Sequence, residues 1–327
     1  MKLAVAVLLV LLAGISAFGQ GSPTLHVVTD DPNLPSELYY GNVKVKPLRV
    51  RPGTNPPQII TINDTDFFVQ EQYIDFFSRM PDQSGFNFWN ADINNCSPKP
   101  GCTDLKRSNV SAAFFVSVEF QQTGYLVERI YRSAYGNTTG NSTFGGAHTL
   151  TVPTIRFNEF LPDTRLIGNG LIVGQPGWET VLENNKVAFT QAFVQRQRFV
   201  NAFPLSMTPT EFVDKLNQNA NGALDSAQRD AAINLFGSAG DSSNTAARAQ
   251  ALRNVAEDQD LYNDEFNRAF VLMQYMGYLR RDPDSGPDSD YTGYDFWLKK
   301  LNAFNGNYIN AQMVRSFLVS GEYLNRF

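Results

Sequence analysis

The chain has 327 residues, 43% of them hydrophobic and only 18% charged, with a formal net charge of -5. That apolar share rules out a wholly disordered chain, and the length is ample for a buried core in two or three ordinary domains. The acidic balance (pI near 5.2) argues against a nucleic-acid backbone as partner, and two His and two Cys restrict zinc or thiol chemistry severely.

Residues 1–19 read as a secretory signal peptide: Lys2, an apolar run over 3–12, then Ala17 and Gly19 just before Gln20. The run is short for a membrane span of ~20 residues and no basic cluster follows it. A secreted protein is expected, extracellular, at the cell surface or periplasmic, with no transmembrane segment in the mature chain. Residues 20–65 contain Pro23, Pro32, Pro35, Pro47, Pro52, Pro56 and Pro57 and read as an extended Pro-rich arm. Within it, 25–28 and 59–62 are β-prone pieces able to pair.

From Asp66 the texture becomes helical. Phe68, Val69, Gln72, Tyr73, Phe76 and Phe77 share one face, and Asn63, Asp64, Thr65 and Asp66 offer N-caps. Met80-Pro81-Asp82 is expected to stop this helix, and a second is expected to start before Trp89. Cys96 and Cys102 bracket a short Pro/Gly loop, which in an oxidising compartment reads as one local disulfide contributing roughly 2 kcal/mol.

This unit returns at the C-terminus. Phe68-Val69-x-x-Gln72-Tyr73, Arg79-x-Pro81-Asp82, Gly85-Phe86-x-Phe88-Trp89 and Ser117-x-Glu119-Phe120 match Phe270-Val271-x-x-Gln274-Tyr275, Arg281-x-Pro283-Asp284, Gly293-Tyr294-x-Phe296-Trp297 and Ser320-x-Glu322-Tyr323. Weaker relatives lie between. One begins at Leu126-Val127 with Tyr131 and continues through Trp178, Leu182, Phe189, Phe193 and Phe199. Another begins at the capping box Thr208-Pro209-Thr210-Glu211, with Phe212, Val213 and Leu216 on one face. The expected organisation is a signal peptide (1–19), the arm (20–65), a repeat unit (66–124), a degenerate unit with a Gly-rich insertion (125–207), a degenerate helical unit (208–263) and a final repeat unit (264–327). The expected fold class is all-α, tandem helix-turn-helix repeats with one short β-prone insertion. Residues 133–177 carry that insertion, a β-prone piece at 149–157 in an otherwise irregular stretch.

The repeated pattern resembles the bacterial family called domain of unknown function 4214. The match is good over 66–120 and 268–327 and loose over about 125–262. The resemblance implies a helical protein of the bacterial surface or exterior, with no catalytic residues to carry over.

Within the motif, Pro ends one helix, Asp caps the next and Gly is expected to permit a positive φ. Trp89 and Trp297 are expected to be buried, and Arg79 and Arg281 to pair with Glu119 and Glu322. His26 and His148 read as exposed bystanders. The loop 281–293 carries Asp282, Asp284, Asp288 and Asp290, a candidate calcium loop competing with a plain acidic turn. No other cofactor is expected. The functional expectation is a non-catalytic repeat protein that binds or scaffolds an envelope or extracellular protein or polysaccharide. The alternative is an envelope polysaccharide-processing enzyme using an Asp/Glu pair.

Overall fold

The computed structural model of the protein describes residues 60–96 and 100–327 in full, and between 25 and 60 the backbone of five short strands. These are β1 (Leu25–Val28), β2 (Glu37–Tyr40), β3 (Val43–Val45), β4 (Arg49–Arg51) and β5 (Gln58–Ile60). The first three form an antiparallel sheet in chain order and β4 pairs with β5, so the β-prone pieces of the arm pair within the arm. The signal segment 1–19 and residues 97–99 of the Cys loop lie outside the described residues.

From Thr65 onward the fold is helical apart from one hairpin. The first unit holds α1 (Thr65–Phe77), α2 (Gln83–Asn94), α3 (Cys102–Val116) and the short α4 (Val118–Gln122). The second begins with α5 (Gly124–Tyr135), then the hairpin β6 (Asn137–Ser142) and β7 (His148–Pro153). It ends with α6 (Phe157–Gly168), α7 (Trp178–Phe193) and α8 (Gln197–Ala202). The third contains α9 (Pro209–Asn219), α10 (Ser226–Asn234) and α11 (Thr245–Ala256). In the fourth, α12 (Gln259–Met273) runs into a π-helical turn (Gln274–Leu279), followed by α13 (Thr292–Ala303), α14 (Met313–Leu318) and α15 (Gly321–Leu324).

Backbone geometry ties all four units together. Each opens on a buried apolar pair: Phe68-Val69, Leu126-Val127, Phe212-Val213 and Phe270-Val271. Ten positions beyond the first member of each pair the chain takes a positive φ, at Ser78 (φ 54°), Gly136 (69°), Gly222 (78°) and Arg280 (56°). A left-handed residue ends a helix by letting its N–H satisfy a late carbonyl; that of Ser78 bonds to the Ile74 carbonyl. α1 therefore stops at Phe77, ahead of the Met80-Pro81-Asp82 stop expected from sequence. Two glycines and two residues with side chains fill this position, so the backbone repeats here although the residue does not.

The array closes on itself. α3 lies against α14 and α1 against the π turn, so the first and last units meet through like faces. The middle units meet the same way, α5 on α9 and α7 on α11. Within the outer units, Phe76 packs edge-on to Phe120 (5.5 Å between ring centroids) and Tyr278 to Tyr323 (5.7 Å). Each fully buried ring of this kind contributes about 1.5–3 kcal/mol by leaving water.

Candidate functional site

The motif residues converge at the turn between first and second helices. Arg79 makes a two-pronged bond to Glu119, Nε to Oε1 and Nη2 to Oε2 at 2.7 Å each. Arg281 repeats this on Glu322, with Nη2 3.0 Å from Oε2 and Nε on Oε1. Each guanidinium also lies over the tyrosine six residues earlier, Arg79 at 5.0 Å from Tyr73 and Arg281 at 5.2 Å from Tyr275. Burial pulls the Arg79 pKa down, but the bonds and charge of Glu119 outweigh it and the net direction is up. Glu119 itself is raised, because burial outweighs the pull of Arg79. The two directions pull apart; the forked geometry favours an ionised pair, since both carboxylate oxygens accept a guanidinium proton.

Asp82 caps α2 as expected, accepting from the Gly85 N–H at 2.8 Å. The rest of the motif needs correction. Asp284, just after Pro283, does not cap α13; six inserted residues separate it from Gly293, and the N-cap position falls on Tyr291. Gly85 and Gly293 do not have positive φ. They are glycines because a Cβ at Gly293 would stand 2.5 Å from the Tyr275 hydroxyl, and one at Gly85 would collide with that of Tyr73. Trp89 and Trp297 hold equivalent places, tilted over Phe114 (5.7 Å) and Phe317 (5.5 Å), yet both are half-buried rather than buried.

The four acids of the 281–293 loop do not converge. Asp282 accepts from the Phe157 N–H at 2.7 Å, placing a carboxylate at the N-terminus of α6, and also meets Arg156 at 3.1 Å. Asp284 holds Arg156 at 2.7 Å, Asp288 holds Arg281 at 2.7 Å, and Asp290 accepts from the Thr292 N–H at 2.9 Å. Among the described residues no group of three or more His, Cys, Asp or Glu is placed to hold a metal ion. Two of the four acids of the candidate calcium loop, Asp282 and Asp284, clamp Arg156, a residue that sequence reasoning did not single out.

Cys96 and Cys102 are joined, with Cα atoms 5.8 Å apart, just ahead of α3. In the 133–177 stretch the β-prone piece becomes β7, paired with β6. The helix α6, which contains Pro162, replaces the coil expected there. His148 is no bystander: its Nε2 lies 3.1 Å from Asp295 Oδ2 and its Nδ1 2.8 Å from the Gly146 carbonyl. Asp295 also accepts from Ser142 Oγ (2.8 Å) and Lys299 Nζ (3.0 Å). Because Ser142 bonds to the carboxylate and not to the imidazole, this trio is not arranged as a nucleophilic relay. His26 lies in β1, where only the backbone is described.

A cleft of about 780 Å³ opens between the 78–82 turn and the end of α6, with Asp82 its single lining carboxylate. Two other buried acids are locked in pairs: Asp163 by Arg196 and Tyr131, Asp75 by Arg326. Glu128 and Glu265 are both buried in the middle of the array. Arg132 and Arg268 hold Glu265 at 2.8 and 3.0 Å. Among the described residues no helix is long and apolar enough to cross a membrane. Comparison with protein-family models, with curated proteins and with solved structures finds no match.

Proposed function

We propose that the protein is a secreted or cell-surface helical-repeat module that binds or scaffolds envelope or extracellular components and does not catalyse a reaction. The observation that carries this reading is what the recurring polar residues do. Arg79 and Arg281 are spent on Glu119 and Glu322 inside their own units, which supports a structural role for these residues of the motif. The cleft beside it has one lining carboxylate, whereas hydrolysis of a glycosidic bond by an acid pair needs two, about 5–10 Å apart. The Cys96–Cys102 bond suits an oxidising compartment, and the leader-like residues 1–19 point the same way. The repeated residues themselves support kinship with the domain of unknown function 4214.

Purified protein incubated with bacterial envelope polysaccharides and with envelope proteins, scored both for retention and for product release, tests the reading. Saturable retention without product is the expected result. Release of shortened polymer that disappears on substituting an Asp or Glu would replace the module by the polysaccharide-processing enzyme.

A further inference from the structure

The first and last units correspond residue by residue across the start of their second helices, 83–89 against 291–297, and this makes each a template for the other. In the last unit the outer face of this helix is covered. The β6–β7 hairpin lies on α13: the Tyr291 N–H donates to the Asn141 carbonyl at 2.8 Å, and the Thr143 N–H to Thr292 Oγ1 at 2.8 Å. Phe144 sets its ring edge-on to Phe296 at 5.3 Å. Asp295, beneath the hairpin, is left 3% exposed. Below it the 280–284 turn is closed by Arg156 and Phe157, seated on Asp282, Asp284 and Arg280.

In the first unit no element among the described residues covers the corresponding face. Phe88, counterpart of Phe296, is 61% exposed, and Asn87 and Ser84, counterparts of Asp295 and Thr292, are exposed too. Met80, counterpart of Asp282, is 52% exposed, and Leu166 at the far wall of the cleft is 54% exposed. A surface that the fold covers with a hairpin and a following dipeptide in one unit is thus open in its twin.

We propose that the exposed face of α2 and the adjoining 78–82 turn dock an extended or hairpin segment of a partner protein, which lays an aromatic side chain against Phe88. The internal template defines the chemistry. Ser84 donates its proton to Asp82 and Asn87 Oδ1 accepts from Gln83, which leaves Ser84 Oγ to accept from a main-chain N–H, as Thr292 Oγ1 does from Thr143, and Asn87 Nδ2 to donate to a carbonyl. Two of the three carboxylates of the covered face are absent: Asn87 replaces the Asp295 that holds His148, and Met80 replaces the Asp282 that meets Arg156. The third, Asp284, has its counterpart in Asp82, which is engaged by Ser84, the Gly85 N–H and Arg79. The partner segment is therefore of low charge and carries an aromatic residue with an apolar neighbour for Met80 and Leu166. This rests on the reading of the protein as a binding module and names one face and one class of partner for it.

The test uses the full chain and a defined probe, a synthetic peptide with the sequence of residues 137–153, closed end to end so that its strands stay paired. Calorimetry should show saturable binding, weakened at least about tenfold by Phe88→Ser and by Phe144→Ser in the peptide. The same change at Phe304, an exposed aromatic in the last unit, should leave it unaltered. No saturable binding up to about 1 mM, or equal losses from Phe88→Ser and Phe304→Ser, overturns the proposal. Binding of a neutral polysaccharide that Phe88→Ser abolishes, with no peptide binding, overturns the assignment to a protein segment. Retention of envelope components that ignores Phe88→Ser sinks this face while leaving the binding-module reading intact.

Discussion

The ring of Phe76 meets the ring of Tyr278 edge-on, 5.6 Å between centroids, and the two occupy the same place in the first and last units. A contact between equivalent positions is the mark of isologous pairing, familiar from two-fold dimers. Here one chain supplies both halves, and the arrangement recurs at α3 against α14. The seam is reinforced by Phe67 against Phe327 (5.5 Å) and by Arg326 bonded to Asp75. Closure leaves each outer unit dependent on the other for part of its core.

That dependence gives a first prediction. Phe76→Ala and Tyr278→Ala should each cost about 3–5 kcal/mol, the usual range for truncating a buried ring. Because the rings touch, the double variant should lose less than the sum, by about 0.5–1.5 kcal/mol. Strict additivity in denaturant unfolding would show that the two units do not share this contact in solution.

The ion pairs give a second. Arg281→Glu alone leaves Glu322 facing a like charge and should destabilise by about 1–3 kcal/mol, a range set by partial exposure of the pair. Arg281→Glu combined with Glu322→Arg should recover at least half of the loss. A double variant as unstable as the worse single one would mean that Arg281 matters through Asp288 and the loop carbonyls instead.

Gly293 gives a third. Its missing Cβ would sit 2.5 Å from the Tyr275 hydroxyl oxygen but 3.7 Å from the ring carbon bearing it. Gly293→Ala should therefore cost about 1–3 kcal/mol by overpacking. Adding Tyr275→Phe, which removes only the offending oxygen, should restore most of it. If the pair is no better than Gly293→Ala alone, the glycine serves the helix terminus rather than the tyrosine.

The contrast between these sites shows how much of the molecule is readable from its sequence. The Arg79–Glu119 and Arg281–Glu322 pairs are legible because both members recur in the same order in two copies. Gly85 and Gly293 are legible as glycines but not as to cause, since close approach and positive φ demand the same residue. α6 is illegible because its first turn is stabilised by Asp282, which arrives from another unit, and because Pro162 argues against a helix locally. The acids at 282 and 284 look like cation ligands for the same reason: nothing near them in sequence announces Arg156. His148 needs Asp295, likewise distant in the chain.

A fourth prediction concerns pH. Glu128 is 3% exposed and its Oε2 meets no hydrogen-bond partner. Burial, and then the charge of Glu265, raise its carboxyl to about 8, although Arg268, Arg129 and Arg132 pull the other way. A carboxyl with its folded pKa above the unfolded value binds its proton more tightly when folded. Its favourable share is complete below the ordinary range near 4.3, and is lost progressively as pH rises through about 8. Glu128→Gln is neutral at every pH and should flatten the stability profile over that window, gaining a few kcal/mol over the parent by pH 9. Parallel profiles for parent and variant would place the proton elsewhere.

The last prediction tests the cover on α13. Asp295 is the hub of that contact, accepting from Ser142, His148 and Lys299 within 3.1 Å. Ser142 and Asp295 are buried while Lys299 is largely exposed, so the three bonds are unequal. Removing the carboxylate by Asp295→Ala leaves a buried hydroxyl without its acceptor and releases the imidazole, a cost of about 1–3 kcal/mol. Lys299→Gln removes only a solvent-screened pair and should cost under about 1 kcal/mol. The loss should be local, because the hairpin is held to α13 at its tip while its strands are bonded mainly to each other. Hydrogen exchange should thus quicken at residues 137–142 and 148–153 in Asp295→Ala, with amides of α9 and α11 unchanged. Phe144 should become more exposed at the same time, since its seat on Phe296 depends on the same anchorage. Uniform quickening across all helices would instead make Asp295 a pillar of the whole array, and unchanged exchange in the hairpin would leave Phe144 and the Thr143–Thr292 bonds as what holds it down.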